Sequence, residues 1–190
     1  MTKLLLATNT EFGQANVFLA VCHALQQLDP DIELHITSFA PLAKHIENAS
    51  NFSIRTARQT HGPEINPRPW IFHPLHGTTM VQALWNINGN SIVPGLVARP
   101  GFSTCRKIMA TGMTVLLPWK PEEFVETCKE LEGVVKEVGA DLVVVDCLFS
   151  HGLTVCQKLG VKYLVLSPNT LKEFAAFKQP WAAVVWKYPM

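Results

Sequence analysis

Residues 140–152 read Ala140-Asp141-Leu142-Val143-Val144-Val145-Asp146-Cys147-Leu148-Phe149-Ser150-His151-Gly152. Leu142 to Val145 is an unbroken apolar run, rich in β-branched side chains and too short for a helix. It predicts a strand buried on both faces, as in the middle of a parallel sheet. Asp146 follows, and a Ser/His/Gly step leads into a helical pattern. A carboxylate at the carboxyl end of a central parallel strand lies where open α/β sheets place their ligands. Ending the strand or capping the next helix would explain Asp146 equally well, and position alone leaves both readings open.

Working outward, the pattern from Pro121 to Val138 predicts a helix with Phe124, Cys128, Leu131, Val135 and Val138 on one face. Pro121 suits its first position and Gly139 its C-terminal cap. Beyond Gly152, Ser150 to Leu159 continues as a helix closed by Gly160. Tyr163 to Leu166 is then a strand ending in Ser167-Pro168-Asn169. At the other end, residues 3–8 predict a first buried strand and Asn9 to Gly13 a loop. From Gln14 a helix carries Val17, Val21, Ala24, Leu25 and Leu28 on one face, stopped by Asp29-Pro30-Asp31. Ile32 to Thr37 predicts a second strand, Pro41 to Asn48 a short helix and Phe52 to Thr56 a third strand. This β-α-β-α-β rhythm predicts an α/β, Rossmann-like doubly wound sheet, all parallel, in the order 3-2-1-4-5.

The rhythm breaks between Ala57 and Gly77, where Pro63, Pro67, Pro69 and Pro74 alternate with Trp70, Phe72 and the histidines 61, 73 and 76. A loop of this length is usually functional or mobile. Helical patterns resume over Thr78 to Ile87 and near Phe102 to Leu117, around a turn-rich Asn88 to Gly101. The expected division is a domain over 1–175 and an apolar tail over 176–190 leading toward a missing remainder. Trp181 to Trp186 is expected to pack poorly in the isolated chain.

Composition narrows the function classes. Of 190 residues, 48% are hydrophobic, which argues against disorder. A net charge of +1, with no basic cluster, gives no footprint for nucleic acid. The five cysteines are odd in number and lack C-x-x-C spacing, which suits reduced thiols in a reducing compartment. With no signal-peptide core and no run near the roughly 20 apolar residues of a membrane span, a cytoplasmic protein is expected.

The strand ends of such a sheet converge on one rim, so Asn9-Thr10-Glu11, Ser38-Phe39, the Pro-rich loop, Asp146 and Ser167-Pro168-Asn169 are expected together. Gly13 stands alone where G-x-G-x-x-G would cradle a pyrophosphate, and no Walker A or G-x-S-x-G sequence occurs. His73 and His76, with His61 nearby, lack the further ligands a zinc site needs, so no metal is expected. Trp70, Phe72 and Trp85 either line an apolar pocket or anchor the loop to the core.

Lys3-Leu4-Leu5-Leu6-Ala7-Thr8-Asn9, with Gly13-Gln14-Ala15-Asn16-Val17 opening a helix, resembles the start of UDP-sugar-dependent glycosyltransferases of the two-domain GT-B fold. Ala140 to Asp146, followed by a helix and Leu159-Gly160-Val161, is similar to that family's later D-x-V-x-x-D … L-G-[IV]-P region. Pro168-Asn169-Thr170-Leu171-Lys172 looks like a fungal-type branch acting on small lipophilic acceptors.

The resemblance implies an N-terminal domain that holds the acceptor and a C-terminal domain that holds the UDP-sugar. A histidine after the first strand, oriented by an aspartate after a later one, deprotonates the acceptor, and the sugar is transferred with inversion. Carried onto this chain, Gln14 stands at the base position and Asp146 at the aspartate position. Gly13, Trp70, Phe72, Trp85, Ser167 and Asn169 are expected against the acceptor. Glutamine hydrogen-bonds a hydroxyl but cannot take its proton, so Asp146 is expected to orient Gln14 or to accept the proton itself.

UDP-sugar is expected as a co-substrate bound by a domain not present, with no cofactor of the chain's own. The expected partners are a small lipophilic acceptor and a donor-domain subunit. The alternative is a non-catalytic module or pseudoenzyme holding a lipophilic ligand or a partner subunit. A flavodoxin-like cofactor protein ranks last, for want of a phosphate-cradling loop.

Overall fold

The computed structural model describes residues 2–87, 106 and 117–168. Five parallel strands form one sheet: β1 (Lys3–Ala7), β2 (Glu33–Phe39), β3 (Ile71–Leu75), β4 (Leu142–Asp146) and β5 (Tyr163–Leu166), in the order β3-β2-β1-β4-β5. The expected order and direction hold, with β1 and β4 adjacent. Ala7, the end of β1, lies level with both Thr37 and Val145, and β2 and β4 run on past it to Phe39 and Asp146.

The helices are α1 (Phe12–Leu28), α2 (Ala43–His61), α3 (Met80–Ile87), α4 (Pro121–Val138) and α5 (Ser150–Leu159). Alternation along the strands divides the core into two layers. Leu5, Ala7, Phe39, Val143 and Val145 pack with Leu131 and Val135 of α4 and Val155 of α5. Leu4, Leu6, Leu34 and Ile36 pack with Ala15 and Phe18 of α1 and Ile46 of α2. β4 is therefore covered on both faces, as its unbroken apolar run requires. No helix among the described residues is long and apolar enough to cross a membrane.

The third strand is not Phe52–Thr56. That segment lies inside α2, whose buried positions are Ile46, Ser50, Ser53 and Ala57. This spacing is helical, but its side chains are small and polar, so the stripe carries little hydrophobic signal. Phe52 and Ile54 suggested strand alternation instead, and Phe52 is 55% exposed. Ser53 is buried because its hydroxyl meets His23 Nδ1 at 3.1 Å. Gly62, at φ 106°, closes the helix in a conformation few other residues adopt.

The actual third strand lies in the stretch read as a loop. β3 bonds only to β2, and this edge position tolerates Pro74, which has no N–H to donate.

α1 starts at Phe12, with Glu11 as N-cap, earlier than the expected start at Gln14, so Gly13 lies in its first turn rather than in a loop. Its buried stripe is Ala15, Phe18, Cys22 and Gln26, rotated from the expected one, and Leu28 is 82% exposed. Helices α4 and α5 match expectation, each ending in a left-handed glycine, Gly139 and Gly160. Cys22, Cys128, Cys147 and Cys156 are free thiols. The expected segments 88–101 and 102–117 lie outside the described residues except at Arg106 and Leu117. The domain boundary at 175 and the tail over 176–190 lie wholly outside them.

Trp70 locks the α1–α2 face. Its indole Nε1 donates to Gln26 Oε1 at 3.0 Å and its backbone N–H to Ser50 Oγ at 3.0 Å. Trp70→Ala should therefore lower unfolding stability by about 3–5 kcal/mol. Trp70→Phe, which strands Gln26 Oε1, should lower it by about 1–3 kcal/mol. Urea titration of both variants checks this.

Candidate functional site

The loop after β1 and the turn after β4 meet at the carboxyl rim. Asp146 ends β4 with no exposed surface. Its Oδ1 accepts the Leu148 backbone N–H at 2.9 Å, and its Oδ2 accepts the Thr8 hydroxyl at 3.2 Å. Burial pushes its carboxyl above the usual range, against the lowering effect of these bonds and of the Asn9 backbone N–H. Asn9, also fully buried, donates Nδ2 to Gln14 Oε1 at 3.5 Å. Among the described residues no hydrogen bond joins Asp146 to Gln14 directly. The two belong to one network, with Thr8 and Asn9 between them.

On the far side of Asp146, the Ser167 hydroxyl donates to Cys147 Sγ at 3.2 Å, joining the end of β5 to the turn after β4. Burial pushes the Cys147 thiol up, which argues against a reactive thiolate. Ser167 is thus at the rim as expected, and Asn169 lies outside the described residues.

Gly13 is exposed in the first turn of α1, and a Cβ built on it would meet nothing within 4 Å. Trp85 lies on α3, 46% exposed. The other two aromatics are elsewhere. Trp70 precedes β3, at the amino edge of the sheet, buried against α1 and α2. Phe72 sits level with Ile36 and packs in the same layer. Both anchor the loop to the core and lie away from the rim, because an indole in a core needs a partner and Gln26 supplies it.

The three histidines of the Pro-rich stretch also go separate ways. His61 bonds to Gln27 O, His73 to His35 and His76 to Glu130.

Two rim residues have roles that sequence patterns did not suggest. Glu11, the N-cap of α1, accepts the Thr10 hydroxyl on Oε1 at 3.4 Å. Burial raises its carboxyl above the ordinary range, and the Asp146 charge adds to the rise. His151, in the first turn of α5, is fully buried among aromatic rings. Its ring is edge-on to Trp119 at 4.4 Å and stacked on Phe124 at 4.3 Å, with Phe149 at 5.3 Å. Burial pushes it from the usual 6.5 down to about 4, so the ring is neutral at pH 7. Gly152 lets α5 approach this closely, since a Cβ there would fall 2.7 Å from Val145 Cγ1.

Asn9 Oδ1, Glu11 Oε2, Thr37 Oγ1, Ser38 Oγ, Ser150 Oγ and both His151 ring nitrogens are buried without a hydrogen-bond partner among the described residues. These sit at the carboxyl ends of β1, β2 and β4 or just beyond; one further such atom, Gln27 Oε1 near the end of α1, lies elsewhere. Buried polar atoms are normally satisfied, so their concentration at one edge marks where a ligand or ordered water completes the bonding.

No family model matches the sequence. The glycosyltransferase sdnJ of Sordaria araneosa is 25% identical over 189 residues, which are 98% of this chain and 36% of that protein. The solved structure of SsfS6, a glycosyltransferase of Streptomyces sp. SF2575, superposes with a TM-score of 0.51 at 15% identity, covering 88% of this chain and 39% of SsfS6. The calicheamicin glycosyltransferase CalG4 does so with a TM-score of 0.50 at 14% identity, covering 100% of this chain and 43% of CalG4. The chain has the fold of one half of a GT-B glycosyltransferase. It spans about a third of the length of the curated relative it matches.

The neutral state of His151 makes a pH prediction. A folded pKa below the unfolded one means that stability is intact above about 6.5 and is lost as pH falls toward about 4. Across that window the wild-type chain should lose on the order of 3 kcal/mol relative to His151→Phe, which has no proton to bind. Urea unfolding of both proteins at a series of pH values measures the difference.

Proposed function

We propose that the chain is the acceptor-binding half of a UDP-sugar-dependent glycosyltransferase, which transfers a sugar with inversion to a hydroxyl of a small lipophilic acceptor. The observation that carries this reading is the buried network Asp146–Thr8–Asn9–Gln14 at the carboxyl rim, ringed by unpartnered polar atoms. The likeness to sdnJ supports it. In this reading Gln14 holds the acceptor hydroxyl, and Asp146 positions it by ordering the loop after β1. Gly13 leaves open space beside that hydroxyl, and Ser167 borders the site. Trp85 on α3 and Phe12 at the start of α1, both about half exposed, offer apolar contact for the acceptor body. Trp70 and Phe72 take no part. The sugar nucleotide is a co-substrate held by a donor half, whether on the same polypeptide or on a partner subunit.

A second reading, a non-catalytic holder of a lipophilic ligand, is favoured by one residue. Gln14 has no titratable atom where the resemblance implies a base.

Two measurements separate these readings. Calorimetry should give no heat of binding when UDP-sugars are added to this chain alone. Paired with a matching donor half, the chain should transfer sugar, Gln14→His should raise the rate, and Asp146→Ala or Asp146→Asn should abolish it. No transfer under any pairing, with acceptor still bound, would favour the holder.

A further inference from the structure

We propose that Glu11 is the residue that takes the proton of the acceptor hydroxyl. The proposal rests on the reading of the carboxyl rim as an acceptor site, and it fills the place that Gln14 leaves chemically empty.

Three observations carry it. Asp146 is already committed: it is fully buried, and its two oxygens accept from the Leu148 backbone N–H and the Thr8 hydroxyl. A carboxylate so engaged is a node that positions its neighbours, with little capacity left for an incoming O–H. Glu11, by contrast, has Oε2 enclosed and without a partner among the described residues, while the residue as a whole stays partly exposed.

Second, Glu11 belongs to the same turn as Gln14. The Gln14 backbone N–H donates to Glu11 O at 2.9 Å, so both side chains spring from the opening of α1. Gln14 Oε1 accepts from Asn9, which leaves Gln14 Nε2 as a donor for the acceptor oxygen. Third, the surroundings call for a ligand. Asn9 Oδ1 and Ser38 Oγ, on residues with no exposed surface, have no partner among the described residues at the same rim.

Glu11 is also suited as a base. Its burial and the Asp146 charge, the ionisable neighbour acting on it, both raise its proton affinity. The backbone N–H of Val81, at the start of α3, limits the rise.

The step balances as follows. The acceptor O–H bond breaks and its proton moves to Glu11 Oε2. The oxygen's electron pair forms the new bond to the anomeric carbon of a nucleoside-diphosphate sugar. The bond from that carbon to the diphosphate breaks, and its pair leaves with the nucleoside diphosphate.

The test uses this chain and two probes, 4-nitrophenol and its methyl ether 4-nitroanisole, with affinity measured across pH. The phenol donates a hydrogen bond that ionised Glu11 accepts, so its affinity should fall about tenfold as pH drops through the Glu11 titration, the worth of one charge-assisted bond. The ether has no proton to donate and should show no such limb. Glu11→Gln should bind the phenol weakly with a flat acid side. Gln14→Ala should weaken binding and keep the limb. A role for Glu11 in capping α3 alone would not separate phenol from ether.

An acid limb that survives in Glu11→Gln and vanishes in Asp146→Asn overturns the proposal and leaves the acceptor-site reading standing. Equal pH profiles for phenol and ether in the wild-type chain also overturn it, without recourse to any variant. If neither probe binds, the acceptor-site reading fails and takes the proposal with it.

Discussion

A carboxylate removed from water needs hydrogen bonds to replace its hydration, and the rim of this sheet is arranged around that need. Asp146 ends the doubly covered strand β4 and draws its donors from two places: the turn that follows it and the loop after β1. Meeting the demand pins Thr8 and Asn9, and through Asn9 the first turn of α1 with Gln14. One residue thereby sets the relative position of the two loops nearest the sheet's centre. The register of β1 against β4 makes the arrangement possible, since a one-residue slip would turn Thr8 away from Asp146.

The burial around Asp146 also favours the uncharged forms of the groups that surround it. Glu11 feels both burial and the neighbouring charge, while His151 is stripped of its own charge by a shell of aromatic rings. A rim with one engaged carboxylate, one with an oxygen unpartnered among the described residues, and a neutral imidazole suits a neutral hydroxyl-bearing ligand. It suits a phosphate poorly.

Legibility in the sequence followed how strongly each segment's pattern reflects its burial. The run Leu142–Val145 and the α4 stripe with its proline start and glycine stop announce themselves, because apolar burial and capping chemistry agree there. α2 hid because its inward face is Ser50, Ser53 and Ala57. β3 hid because an edge strand can hold a proline. The sheet order was legible even so, since it depends on the number of right-handed crossovers rather than on which residues form the third strand. Within the site, the position of Asp146 was readable from a strand end, and that of Gln14 from a resemblance. The roles of Glu11 and His151 were not readable, because unpaired oxygens and aromatic enclosure exist only after folding. Trp70 stayed open between pocket lining and core anchor for the same reason: its partner, Gln26, is 44 residues away.

The central claim is that the carboxyl rim, and no other surface of the described residues, receives the acceptor. Backbone amide chemical shifts of the isotopically labelled chain, followed as 4-nitrophenol is added, test it most directly. The account predicts shifts confined to residues 8–14, 37–39, 146–151 and 167 and to α3 around Trp85, with the amides around Trp70 at the amino edge unmoved. Shifts centred on the amino edge, or spread over the exposed β5 side chains Leu164 and Val165, would contradict it.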